Sequence, residues 1–231
     1  MTNLQKGKRA PVLAKHGQVF DLLKSSPSML ETLVDEREVQ RALWALRRGP
    51  ISFRRNNVIA CEGDSADYIF MVVSGMVRAC KIFQNGERAV VAFYLPGDLL
   101  GWADKAHPLS IEAASNATVL FFKRTSLVSM AAQNNKVARL LLDLATRELQ
   151  RAQKHATLIN RDAKSRVLHF LGDLSRRLGR PDVISLPMPH KDIADHLGLT
   201  IETLSRTVTC LQRSGLVSRQ GTRAILLHDG H

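Results

Sequence analysis

The chain has 231 residues, 45% hydrophobic and 23% charged, enough for one large globular domain or two modest ones, and its 33 Lys+Arg against 21 Asp+Glu leave a net charge of +12, which suits a polyanionic partner better than it suits an average enzyme. No apolar run approaches the roughly 20 residues of a bilayer span, and the opening "MTNLQKGKRAPVLAKHGQ" has no apolar signal core, so a cytoplasmic protein with no membrane partner is expected. Cys61, Cys80 and Cys210 are scattered and form no CxxC pair, which argues against a disulfide framework or a four-thiolate metal site.

Residues 1–25 read as a basic, weakly patterned tail. "SMLETLVDEREVQRALWALRR" (28–48) predicts a helix stopped by Gly49 and Pro50. Arg47, Arg48, Arg54 and Arg55 cluster nearby as a solvated face, and Trp44 and Trp102 read as packing residues. From residue 51 to about 123, short β-rich runs ("NVIAC", "YIFMVVSG", "MVRACKIF", "RAVVAFYL", "IEAAS", "TVLFFK") alternate with glycines, the pattern of a sandwich or barrel. Asn85-Gly86 between two of these runs predicts a tight hairpin with positive φ at both turn residues. The β unit with its flanking helices is placed at 26–131.

Residues 132–160 predict a long helix without glycine or proline. Steps of four and three from Ala138 reach Leu142, Ala145, Leu149, Ala152, Ala156 and Ile159, an apolar seam suited to a second copy of the chain. A buried connecting helix is the alternative. A second stripe, Val137, Leu140, Leu141 and Leu144, covers only the first half and fits packing on the β unit.

Residues 161–231 read as a helix (162–179), a Pro-rich extended link, two short helices and a hairpin. The stretch 123–231 holds 18 Lys+Arg against 9 Asp+Glu, so most of the basic excess is here. In "DIADHLGLTIETLSRTVTCLQRSG", Ile193, Ala194 and Leu197 form an inner face, Gly198 permits a sharp turn, and Thr200 can cap a second helix whose inner side is Leu204, Val208 and Leu211. With the hairpin as wing, this is winged helix-turn-helix syntax, in which the second helix enters the major groove of double-stranded DNA. Glu202, Ser205 and Arg206 are its candidate base readers: arginine is the commonest bidentate partner of guanine, glutamate accepts from cytosine, and serine serves either edge. Ile201, Thr200, Thr203, His190, Lys191 and Arg213 are further candidate DNA contacts, the polar ones to phosphate. Cys210, one turn past Arg206, is a candidate redox position, with a plain packing role as the alternative.

These features together resemble the CRP/FNR family of bacterial transcription regulators over nearly the whole chain, and "LGLTIETLSR" resembles the recognition element of its FNR and FixK branches, whose Glu-x-x-Ser-Arg pattern matches Glu202, Ser205 and Arg206. The resemblance implies an α+β fold: an N-terminal cyclic-nucleotide-binding-like β-roll (a jelly roll), a long dimerisation helix and a C-terminal winged helix-turn-helix. It also implies a homodimer on an inverted repeat with TTGA-type half-sites, an activator working with RNA polymerase on genes of microaerobic or anaerobic metabolism, nitrogen fixation among them.

The sensor chemistries of the family fit less well. There is no cysteine before Cys61 to hold an iron-sulfur cluster. In "PGDLLGWADKAHPLSIEAAS", Gly97 and Asp98 match the cyclic-nucleotide signature, but Leu109 and Ser110 stand where an Arg-Ser pair would meet the phosphate. His107, a lone loop histidine read as solvated, cannot by itself supply haem or a cupin-type metal site. The expectation is a regulator without a cofactor and not an enzyme, with a ligand-gated regulator holding a small molecule in the β-roll as the alternative.

Overall fold

The computed structural model describes residues 43, 45–179, 183–221 and 224–228. The expected tail, most of the helix expected at 28–48 and Trp44 lie outside them. Eight strands come first: β1 (Arg47–Phe53), β2 (Val58–Ala60), β3 (Tyr68–Ser74), β4 (Val77–Ile82), β5 (Arg88–Tyr94), β6 (Leu99–Leu100), β7 (Ser110–Ala113) and β8 (Ala117–Lys123). They form two antiparallel four-stranded sheets, ordered β1-β8-β3-β6 and β2-β7-β4-β5. Helices α1 (Arg124–Gln133), α2 (Asn135–Leu158) and α3 (Ala163–Leu178) follow. The chain then runs through β9 (Val183–Ser185), α4 (His190–Leu197), α5 (Ile201–Arg213), β10 (Val217–Arg219) and β11 (Ala224–Leu227).

Three apolar clusters explain why the strand sequences are apolar almost throughout instead of alternating. Phe70 and Val72 of β3, Val77 and Ala79 of β4, and Ala113 and Val119 pack between the sheets, where the Phe70 and Phe121 rings meet edge to face at 5.0 Å. Ile69, Met71 and Val73 point the other way, onto Leu127 of α1 and Val137 and Leu140 of α2. On the outer side of the second sheet, Val90 and Phe93 meet Val167, Phe170 and Leu171 of α3 and Ile193 and Leu197 of α4. Both outer faces are thus covered, one by the long helix and one by the C-terminal domain. The half-length stripe Val137, Leu140, Leu141 and Leu144 does pack on the roll.

Three expectations are corrected. Arg47 and Arg48 do not end a helix; they open β1, opposite Phe122 and Phe121, where a strand position lets the Arg48 guanidinium donate to the Tyr68 hydroxyl at 2.9 Å. At the Asn85-Gly86 turn only the glycine has positive φ, because the hairpin closes at Phe83 and Glu87 around a three-residue loop. That is a type I turn followed by a left-handed glycine. His107 is not solvated: it is 3% exposed and lies against Phe70 with centroids 5.6 Å apart, and burial lowers its pKa. Its loop folds back on the chain, with His107 donating its backbone N–H to Asp64 and accepting from Gly63 through its carbonyl. Strand β6 was also not anticipated, two residues being too short for a pattern.

Helix ends follow their caps. Asn134 accepts from the N–H groups of Lys136 and Val137 to start α2, and Asp162 accepts from Ser165 to start α3.

Polar side chains join the C-terminal domain to the roll. Arg78 of β4, 5% exposed, donates to Glu112 and to Asp192 of α4, and Arg88 of β5 donates to Asp192 at 3.0 Å and Asp195 at 3.1 Å. Asp98 accepts from Arg177 of α3 at 2.6 Å and from Arg151 of α2 at 3.0 Å. Between them His196 of α4 stacks on His155 of α2 at 4.2 Å, with its Nδ1 2.9 Å from the Val90 carbonyl.

Burial, then the neighbouring His155, pushes His196 down to about 3, so it stays neutral in the folded protein. The unfolded chain takes up that proton below the ordinary histidine value, so folded stability is fully present above about pH 6.5 and declines as pH falls toward 3. Denaturant melts at pH 7.5 and pH 5 should therefore differ by about 2 kcal/mol from this residue. In His196→Gln that difference should shrink by the same amount, and an unchanged difference would contradict the assignment.

Candidate nucleic-acid interface

Helices α4 and α5 meet at a turn that only certain residues can make. Gly198 has φ 60° and ψ 41°, the left-handed conformation that a residue without Cβ adopts freely, and its N–H returns to Ala194. Arg166 of α3 donates to the carbonyl of Leu197 at 2.9 Å, which ties the turn to the helix beneath it. Thr200 then caps α5, its hydroxyl accepting from the Thr203 N–H at 3.1 Å. Leu204, Val208 and Leu211 are buried as expected, joined by Thr207, whose inward position the sequence reading missed. The wing is a three-stranded sheet ordered β10-β11-β9, because part of the extended link pairs with the hairpin, Ile184 opposite Ile225.

That packing leaves one face of α5 outward. Glu202, Ser205 and Arg206 are all exposed there, within one turn of one another. Ile201, Ser205, His190 and Arg219 line one recess, so His190 and the wing border the same surface. The Glu202 carboxyl is held below its ordinary range by its own backbone N–H, then by the Thr200 hydroxyl, with the Arg206 charge contributing least. Glu202 is thus kept ionised and able to accept. Thr200 and Thr203 are engaged in the cap, their hydroxyls 3.1 Å apart. Lys191 is exposed and lies 3.5 Å from Asp195. Arg213 is exposed at the far end of α5, about 10 Å along the axis from Arg206. Cys210 is half-buried on the same helix.

The seam residues form an exposed apolar line: Leu142 is 66% and Leu149 58% exposed, Ala145, Ala152 and Ala156 are exposed, and Ile159, the residue that caps α2, is 39% exposed. Ala138 is half-buried. The seam is thus an apolar line that nothing within the described residues of one chain covers.

In the roll, Leu109 packs against the core between the sheets and the Ser110 hydroxyl accepts from the Glu62 N–H at 3.1 Å. Asp98, the acid of the nucleotide signature, is occupied by two arginines. Sequence reasoning missed the joint residues Arg78, Arg88, Arg151, Arg177, Asp192 and Asp195. The available signal was an arginine inside "VRAC" and another opening "RAVV", charges within otherwise buried strands.

No helix among the described residues is long and apolar enough to cross a membrane. Comparison with known proteins agrees with this geometry. Residues 165–231 match the Crp-like helix-turn-helix domain, and residues 50–134 match the cyclic nucleotide-binding domain. The nitrogen fixation regulation protein FixK of Azorhizobium caulinodans is 42% identical over 187 residues, covering 78% of this chain and 75% of that protein. The FixK protein of Rhizobium meliloti is 37% identical over 176 residues, covering 75% and 80%. The solved structure of FixK2 from Bradyrhizobium japonicum superimposes with a TM-score of 0.74 at 38% identity, covering 78% of this chain and 91% of that one. A β-roll, a long helix with an exposed apolar line and a winged helix-turn-helix follow one another along the chain, and with these relatives the chain belongs to the CRP/FNR family of transcription regulators, on its FixK-like branch.

Proposed function

We propose that the protein works as a homodimer, joined along α2, that binds an inverted repeat with TTGA-type half-sites and activates genes of microaerobic or anaerobic metabolism, including nitrogen fixation, through RNA polymerase. The observation that carries this reading is the outward face of α5, where Glu202, Ser205 and Arg206 stand exposed while the rest of the helix is anchored in its domain. Ile201, Thr203, His190, Lys191 and Arg213 are positioned around that face as secondary contacts, mainly to phosphate. Its work needs no cyclic nucleotide: Leu109 stands where the phosphate anchor would be, and Asp98 is already paired. A protein with this activity acts where the chromosome is, in the cytoplasm.

Titrating purified protein onto a labelled duplex with two TTGA half-sites, at moderate salt and with no added effector, tests the proposal. The expected result is a dissociation constant of about 10 nM or tighter, at least about 1,000-fold tighter than on a scrambled duplex. Equal affinity for both duplexes by a folded protein would refute it.

A further inference from the structure

Two buried acids each receive two arginines from different elements. Asp192 of α4, 2% exposed, accepts from Arg78 of β4 and Arg88 of β5. Asp98 of the roll, 8% exposed, accepts from Arg151 of α2 and Arg177 of α3. Arg177 also donates to the Phe93 carbonyl at 2.9 Å, and Arg151 also reaches Glu148, whose other oxygen accepts from Tyr94. The DNA-reading domain is therefore fastened to the roll through α3 and α4, and through Asp98 to the same helix that carries the seam.

Apolar side chains of similar size would hold these surfaces together at least as well, since desolvating charges offsets most of their attraction. What ion pairs with arginine add is direction: the guanidinium is a planar fork, and an acid receiving two of them is fixed in angle as well as in distance. Direction matters here because a two-fold operator is read by two helices about 34 Å apart, and each added base pair rotates and displaces one half-site relative to the other. Play at the joint between α2 and α5 becomes play in that separation.

We propose that Asp98 and Asp192 are positioning residues for operator recognition, holding α5 at a fixed angle to α2 so that the dimer measures half-site separation without an effector. This rests on the dimeric, palindrome-binding reading above. Base choice belongs to α5; spacing belongs to the joint.

The test uses the full chain and a set of duplexes with identical half-sites whose separation is the preferred one or one base pair shorter or longer. The wild type is expected to favour one separation by about 100-fold. In Asp98→Asn and Asp192→Asn, affinity for that duplex should fall about 10-fold or more, while the ratio between separations collapses to under about 5-fold and base preference within a half-site is retained. A merely stabilising role would lower affinity on every duplex and leave the ratio alone, which would overturn the proposal. So would tighter binding to the preferred duplex, because the joint would then be a brake. Should either amide variant fail to fold by circular dichroism, Arg78→Lys and Arg151→Lys, which keep the charge but lose a guanidinium that bridges two acids through different nitrogens, are judged on the same ratio: a collapsed ratio supports the proposal and a wild-type ratio overturns it. A wild type that ignores every separation would instead refute the palindrome reading itself.

Discussion

Aspartate at both Leu149 and Ala152 is expected to convert the protein to monomers and to lower operator affinity by about 100- to 10,000-fold. Both side chains lie on the exposed line of α2, Leu149 at 58% exposure, so within one chain the change adds solvated charges and disturbs little packing. In the dimer proposed above the same positions would face their symmetry mates, and the interface would bury like charges without counterions, which costs several kcal/mol. The operator loss follows from linkage: with two half-sites bound by one dimer, the second contact is intramolecular, and separating the subunits removes that advantage. Sedimentation velocity at micromolar concentration reads the first effect and a duplex titration the second. A normal dimer with normal affinity would remove the seam from the mechanism, whereas a monomer that melts at the wild-type temperature would confine the effect to the interface.

Arg206→Ala is the other large effect. The side chain is exposed and outside the three apolar clusters, so the fold should be untouched. A bidentate arginine contact discriminates by about 1–3 kcal/mol, and its loss should relax preference at one base pair in each half-site without changing the others. Selection from a randomised half-site by wild type and variant checks this directly. Arg206→Lys should restore general affinity, through charge, but little of the discrimination, because an ammonium lacks the planar fork. Unchanged preference in Arg206→Ala would move base reading elsewhere on α5.

The parts of this molecule that were legible in the sequence are those written in short-range pattern. The seam and the shorter stripe of α2 follow from steps of three and four, and the structure puts the stripe on the roll and leaves the seam bare. Leu204, Val208 and Leu211, the turn at Gly198 and the cap at Thr200 are equally local. What could not be read is what depends on distant partners. Arg78 and Asp192 are 114 positions apart, and neither residue's neighbours announce the other. His107 looked solvated because a lone histidine in a polar loop carries no signal that the loop folds over Phe70. Arg47 and Arg48 looked helical because the apolar spacing before them is helical, and only the pairing with β8 makes them a strand.

The apolar cluster that Val90 and Phe93 share with Phe170, Ile193 and Leu197 has a thermodynamic corollary. The core of the C-terminal domain runs through that cluster into the roll, so melting one strips cover from the other, and the chain should lose its structure as a single cooperative unit. A fragment beginning at the third helix would expose Phe170 and its neighbours to water, which makes the reading module a poor candidate for transplantation onto another scaffold unless that surface is first made polar.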